Sequence, residues 1–135
     1  ESEKGVFLLC KTSNPGAGDL QDLILESGEP LHIHVAKLAQ AWNAGNNVGI
    51  VVGATYPETL SRVRAVVPNM WFLAPGVGAQ GGELESALKA GLRKDGKGML
   101  LPVSRAIART EKPGLAAAEF RDEMLAIRSS IMESR

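Results

Sequence analysis

The sequence predicts an α/β fold built on a parallel sheet, and three observations carry that reading. Four short aliphatic runs each close on Gly, Pro, Ser or Thr, and segments with helical spacing separate them. Aromatic residues make up only 4% of the 135 residues, against 44% hydrophobic overall. A core with so few rings is built from Val, Leu, Ile and Ala, the composition of strands covered on both faces by crossover helices.

The four runs lie near residues 5–12, 48–53, 70–74 and 98–103. None alternates cleanly between apolar and polar, so each reads as a buried parallel strand. Between the first two, Pro30 to Ala44 places Leu31, Val35, Leu38 and Trp42 on one stripe, and Gly45 closes the helix. The second helix begins at Pro57, a favourable first position because the missing N–H would have no intrahelical partner, and it buries Leu60, Val63 and Val67. The third runs from Glu83 to Ala90 and stops at Gly91. The last runs from about Gly114 to Met132, with Leu115, Phe120, Met124, Leu125, Ile127 and Ile131 as its apolar set. Strand followed by helix, four times, calls for a parallel sheet with right-handed crossovers. Two architectures fit: a small doubly wound sheet, or four units of an eight-stranded barrel, which takes about 250 residues when complete. Length favours the first and the loops favour the second.

Composition excludes several functions. Lys plus Arg and Asp plus Glu are both 15, so the net charge is zero and nothing argues for nucleic acid or an anionic membrane as partner. No apolar run approaches the roughly 18 residues of a membrane helix, and the first residues are not a signal peptide, so a soluble cytoplasmic protein is expected. The single cysteine, Cys10, excludes an internal disulfide and reads as a buried inert thiol. His32 and His34 are two apart in a helix and face different ways, which argues against shared metal ligation. Lys11 reads as a solvated lysine at the end of the first strand. Paired carboxylates, a Ser-His-Asp order and a metal-ligand cluster are all absent, so the chain shows no catalytic machinery of its own.

Three loops carry the functional signal. Pro75-Gly-Val-Gly-Ala-Gln-Gly-Gly82 follows the third strand and precedes a helix, where successive glycines and the helix N-terminus present N–H groups to an anion. Gly76, Gly78 and Gly81 also satisfy the dinucleotide pattern G-x-G-x-x-G. The acidic residue that should follow the next strand is missing, however, and Arg105 stands there instead, leaving an NADP-binding domain as an alternative. Ser104-Arg105 opens the segment after the fourth strand, where a guanidinium can hold a phosphate bidentately. In barrels the loops after the last two strands often form such a phosphate site. Thr12-Ser-Asn-Pro-Gly16 follows the first strand with side chains that donate and accept, suited to the amide-like edge of a pyrimidine, although the same residues also make an ordinary Asx turn.

Taken together, Leu8-Leu-Cys-Lys-Thr-Ser-Asn-Pro-Gly16, Gly49-Ile-Val-Val-Gly-Ala-Thr-Tyr-Pro57, Pro75 to Gly82 and Pro102-Val-Ser-Arg105 resemble orotidine 5′-phosphate decarboxylases. The resemblance is to the longer bacterial-type branch, also found as a domain of some UMP synthases. It implies a (β/α)8 TIM barrel, of which residues 1–135 are the C-terminal four βα units, converting orotidylate to UMP and CO2 without a cofactor. By resemblance Ser13, with Asn14 beside it, meets the pyrimidine; Gln80 bridges pyrimidine and phosphate; and Arg105 grips the phosphate. Backbone N–H groups around Gly81, Gly82, Ser104 and Arg105 complete the anion nest. The family's Asp-x-Lys-x-x-Asp catalytic motif does not occur in these residues. The resemblance therefore implies a partner in the missing N-terminal half of the barrel, a homodimeric assembly, and no catalytic residue in this chain. A self-contained phosphate- or nucleotide-binding module is the other reading.

Overall fold

The computed structural model describes residues 3–77 and 81–135. The chain forms strand β1 (Val6–Lys11), the short helix α1 (Ala17–Gln21), helix α2 (Leu31–Trp42), strand β2 (Val48–Val52) and helix α3 (Pro57–Val66). It continues through strand β3 (Trp71–Leu73), helix α4 (Gly81–Gly91), strand β4 (Met99–Leu100), the single turn α5 (Arg105–Ala108) and helix α6 (Pro113–Glu133). The strands form one sheet in the order β1-β2-β3-β4, all neighbours parallel. Chain order equals spatial order, so each helix crosses over to the next strand along and every strand ends on the same edge.

The two faces of this sheet differ sharply. The register aligns Leu8, Ile50, Phe72 and Met99 in one row across the four strands. Ile50 and Phe72 in that row are fully buried beneath the helices, with Leu60, Val63, Leu84 and Leu88 packed into the same core. Burial of each such side chain stabilises the fold by about 1.5–3 kcal/mol. The rows on either side, Phe7–Gly49–Trp71 and Leu9–Val51–Leu73–Leu100, point the other way. There Leu9 is 59% exposed, Leu100 45%, Phe7 40% and Trp71 39%. An apolar face on a parallel sheet calls for cover, because parallel sheets are buried on both sides and their strands carry no polar alternation. Gly49 belongs to this wall: a Cβ there would lie 2.4 Å from the Phe7 ring, which fills the space instead.

The helix faces depart from the sequence reading at two places. In α2 the buried residues are His32, Ile33, Ala36 and Ala39, whereas Leu38 is at the surface and Trp42 is 61% exposed. The alanines let the helix axis approach β1 and β2 closely, and that contact sets the rotation of the helix despite its larger apolar residues. In α6 only Ile131 is fully buried, and Leu115 and Leu125 are exposed. The fourth strand is also shorter than the run at 98–103, since it has a partner on one side only.

Arg64 ties β3, α4 and the entry to β4 together. Its guanidinium, 8% exposed, donates to the carbonyls of Gly91 (2.7 Å), Met70 (2.7 Å), Gly98 (3.0 Å), Val67 (3.3 Å) and Pro68 (3.3 Å). It lies 3.6 Å over the Phe72 ring. Burial lowers its pKa to about 10, with the neighbouring Arg93 charge acting in the same direction, so it stays protonated at neutral pH. The site is a carbonyl cluster built around one cation. Stranding several buried acceptors costs on the order of 1–3 kcal/mol each, without additivity. Arg64→Met is expected to lower stability by about 3 kcal/mol in urea unfolding; a loss below about 1 kcal/mol would show that water replaces the guanidinium.

Candidate functional site

Parallel strands deliver their loops to one edge, and three of those loops touch. The Gly53 N–H donates to the Lys11 carbonyl at 2.8 Å, and the Ala54 N–H donates to the Pro75 carbonyl at 2.8 Å. Ser13 is the centre of the contact. A Cβ on Gly53 would lie 2.9 Å from the Ser13 Cβ, and one on Gly76 would lie 2.8 Å from the Thr55 Oγ1 and 3.5 Å from the Ser13 Oγ. Gly76 also has φ +98°, a conformation that L side chains rarely adopt. Gly76 is therefore required twice over, for backbone shape and for the closeness of the loops, and Gly53 once, for that closeness.

Beside this junction a cavity of about 400 Å³ runs between the loops after β3 and β4, lined by Pro75, Gly76 and Val77 on one side and Pro102 to Ala106 on the other. Ser104 and Arg105 lie exposed on its wall, and Ser104 accepts hydrogen bonds from Ile107 and Ala108 as α5 begins. Among the described residues no carboxylate pairs with Arg105, so its guanidinium is available to an anionic ligand. Gly81 and Gly82 begin α4, whose first turn stands at the same edge. Gln80 lies outside the described residues.

Ser13 and Asn14 part company. Ser13 sits against Gly53 and Gly76, whereas Asn14 turns to the other side, its Oδ1 accepting from the Thr12 hydroxyl. There Asn14 lines a separate cavity of about 230 Å³ with Lys11, Asp22 and Tyr56. The structure thus brings Ser13 close to Gly53 and to the loop bearing Gly76, places Ser104 and Arg105 across the neighbouring cavity, and sets Asn14 apart. Thr55 was not singled out by the sequence; its signal was its place directly after a strand that ends in Gly53-Ala54.

Lys11 is a correction. It is 5% exposed and its Nζ lies 2.7 Å from Oδ1 of the half-exposed Asp22, so it is a buried, paired lysine and not a solvated side chain. The cause is a bulge: Leu9 pairs with Val51 but Lys11 pairs with Val52, so Cys10 and Lys11 are both turned inward. Asp22 also lies 3.2 Å from the His32 Nδ1, and its carboxyl is held below the usual range chiefly by the hydrogen bond from Lys11. Cys10 is 2% exposed, and its thiol donates to the His32 carbonyl at 3.1 Å.

Comparison with known proteins gives the family of the chain. The profile of the orotidine 5′-phosphate decarboxylase / HUMPS family matches residues 1–120. The chain belongs to that family. It is 45% identical over 131 residues to an orotidine 5′-phosphate decarboxylase of Roseiflexus castenholzii, covering 96% of this chain and 48% of the relative. Its fold superposes on the structure of Leishmania donovani OMP decarboxylase with a TM-score of 0.87 at 51% identity, over 94% of this chain and 49% of that one. Leishmania donovani UMP synthase gives the same TM-score at 54% identity, with 28% of that chain covered. The chain spans about half the length of the curated relatives it matches, and its four βα units are half of the family's (β/α)8 barrel, which accounts for the open apolar face. Family membership places the chain with the barrel reading and not with an NADP-binding domain. Among the described residues no helix is long and apolar enough to cross a membrane, and no cluster could hold a metal ion.

Burial pushes the Cys10 thiol up to about 12, the adjacent Lys11 charge offsetting this only in part. The folded thiol should therefore stay unreactive toward Ellman's reagent at pH 8 and react at once in denaturant. Because the folded-state pKa lies above the unfolded one, the thiol's contribution to stability is complete below the ordinary cysteine range and is lost as pH climbs toward 12. Labelling of the native protein at pH 8 at the denatured rate would contradict the assignment.

Proposed function

We propose that this chain is the nucleotide-holding half of an orotidine 5′-phosphate decarboxylase, the C-terminal four βα units spanning residues 1–135, in a cytoplasmic homodimer that makes UMP. The observation that carries the reading is the closeness of Ser13 to Gly76 beside the Arg105-lined cavity: a polar group suited to a pyrimidine edge stands next to a cavity suited to a phosphate. Family membership supports it.

In this reading the phosphate of orotidylate lies between the loops after β3 and β4. Arg105 holds it by charge-assisted hydrogen bonds, with N–H groups of Gly81, Gly82, Ser104 and Arg105 around it. Gln80 spans from phosphate to pyrimidine, and Ser13, with Asn14 behind it in the same turn, meets the base. Loss of CO2 leaves a carbanion at C6 of the ring, and a proton delivered there completes UMP. The acceleration must come from groups that favour the charged transition state over bound substrate. The family's Asp-x-Lys-x-x-Asp motif, absent from these residues, supplies that charge from the other half of the barrel. The present half fixes the non-reacting phosphate and so orients the reacting carbon, a contribution that appears in kcat as well as in binding. No cofactor is required.

Arg105→Ala in the full-length protein is expected to lower kcat/KM for orotidylate by several kcal/mol, as befits a lost charge-assisted phosphate contact. A decrease of less than about tenfold, or 1.4 kcal/mol, would remove Arg105 from the phosphate site.

A further inference from the structure

The loop that carries Ser13 is held from behind by a connected set of groups with no place in the site itself. The bulge near the end of β1 ends the regular ladder and frees the next amide: the Thr12 N–H donates to the Gln21 Oε1 at 2.8 Å and not to a strand neighbour. The same Gln21 Oε1 lies 3.3 Å from the Thr12 hydroxyl. One residue on, Asp22 takes the Lys11 ammonium at 2.7 Å. His32, 3% exposed at the start of α2, then closes the set, its Nδ1 lying 2.8 Å from the Gln21 carbonyl and 3.2 Å from Asp22 Oδ1. Both partners of Nδ1 are acceptors, so that nitrogen carries the proton and the ring has a fixed tautomer.

Each link is costly to break. Lys11 is buried, and its ammonium reaches the half-exposed carboxylate of Asp22, without which it would have no carboxylate beside it. The tie spans β1, the end of α1 and the start of α2, so it fixes both the backbone before Ser13 and the segment that returns after Asn14. Bulges recur beside functional sites because they re-aim a side chain; here the re-aimed chain is the one that sets Ser13 beside Gly53 and close to Gly76.

We infer that Gln21 and Asp22 are positioning residues for base recognition, setting Ser13 through the Thr12 amide and the buried Lys11. The inference rests on the proposed nucleotide site and adds to it a division of labour. The base is read by a loop anchored on α1 and α2, while the phosphate is held by loops on the opposite side of the junction. Loosening the anchor should therefore weaken binding of ligands that carry a base far more than binding of a sugar phosphate alone.

The experiment uses the full-length protein with Gln21→Ala and Asp22→Asn, titrated with UMP and with ribose 5-phosphate by calorimetry. The expected result is at least a tenfold rise in the Kd for UMP in either variant, with the Kd for ribose 5-phosphate changed less than threefold, and recovery of most UMP affinity in Gln21→Glu, which keeps an acceptor for the Thr12 amide. Gln21→Ala leaves no unpaired buried charge, so it carries the test if Asp22→Asn fails to fold. Equal losses for the two ligands, or unchanged UMP binding in Gln21→Ala, would overturn the inference while leaving the site standing. Failure of the unmodified protein to bind UMP would instead overturn the site, and the inference with it.

Discussion

The constraint on which the rest depends is the burial of one row of side chains. Ile50 and Phe72, fully enclosed beneath α2, α3 and α4, fix four parallel strands in register, and parallel strands in register can only release their loops at one edge. Slippage of a single residue would turn this row outward and send the open row into the helices. The meeting of Ser13, Thr55 and Gly76 is a consequence of that register, refined by glycines where the backbones come too close for a Cβ. Arg64 reinforces it from below by gathering five carbonyls at the amino-terminal ends of β3 and β4 and at the end of α4.

The open face explains why a chain with a dense core still exposes Phe7, Leu9, Trp71 and Leu100. In the family's barrel such residues meet their counterparts from the remaining strands across the interior. In the proposed function the same division separates binding from chemistry: the loops on these strands grip the two ends of a nucleotide, and the strands of the other half carry the charged groups that act on the carbon between them.

Much of this could be read from the residues alone. The aliphatic runs and the proline and glycine boundaries located all four strands and the main helices, and Leu60, Val63 and Val67 are buried as their spacing indicates. The rotation of α2 could not be read this way, because close packing of Ala36 and Ala39 overrode the stripe of larger side chains that includes Leu38 and Trp42. Lys11 was misread for a similar reason. A charged residue at a strand end is normally solvated, and only the bulge and an aspartate eleven positions later, Asp22, make its burial possible. Neither leaves a periodic trace. The short α1 and the turn α5 likewise fall below the length at which spacing carries information.

The central claim is that this chain holds the nucleotide while another half barrel performs the chemistry. The most direct measurement mixes this polypeptide with a separately expressed N-terminal half of a family member and follows orotidylate absorbance. The account predicts turnover only when both halves are present and co-elute as one species. Turnover by this chain alone, or silence from a co-eluting folded pair, would contradict it.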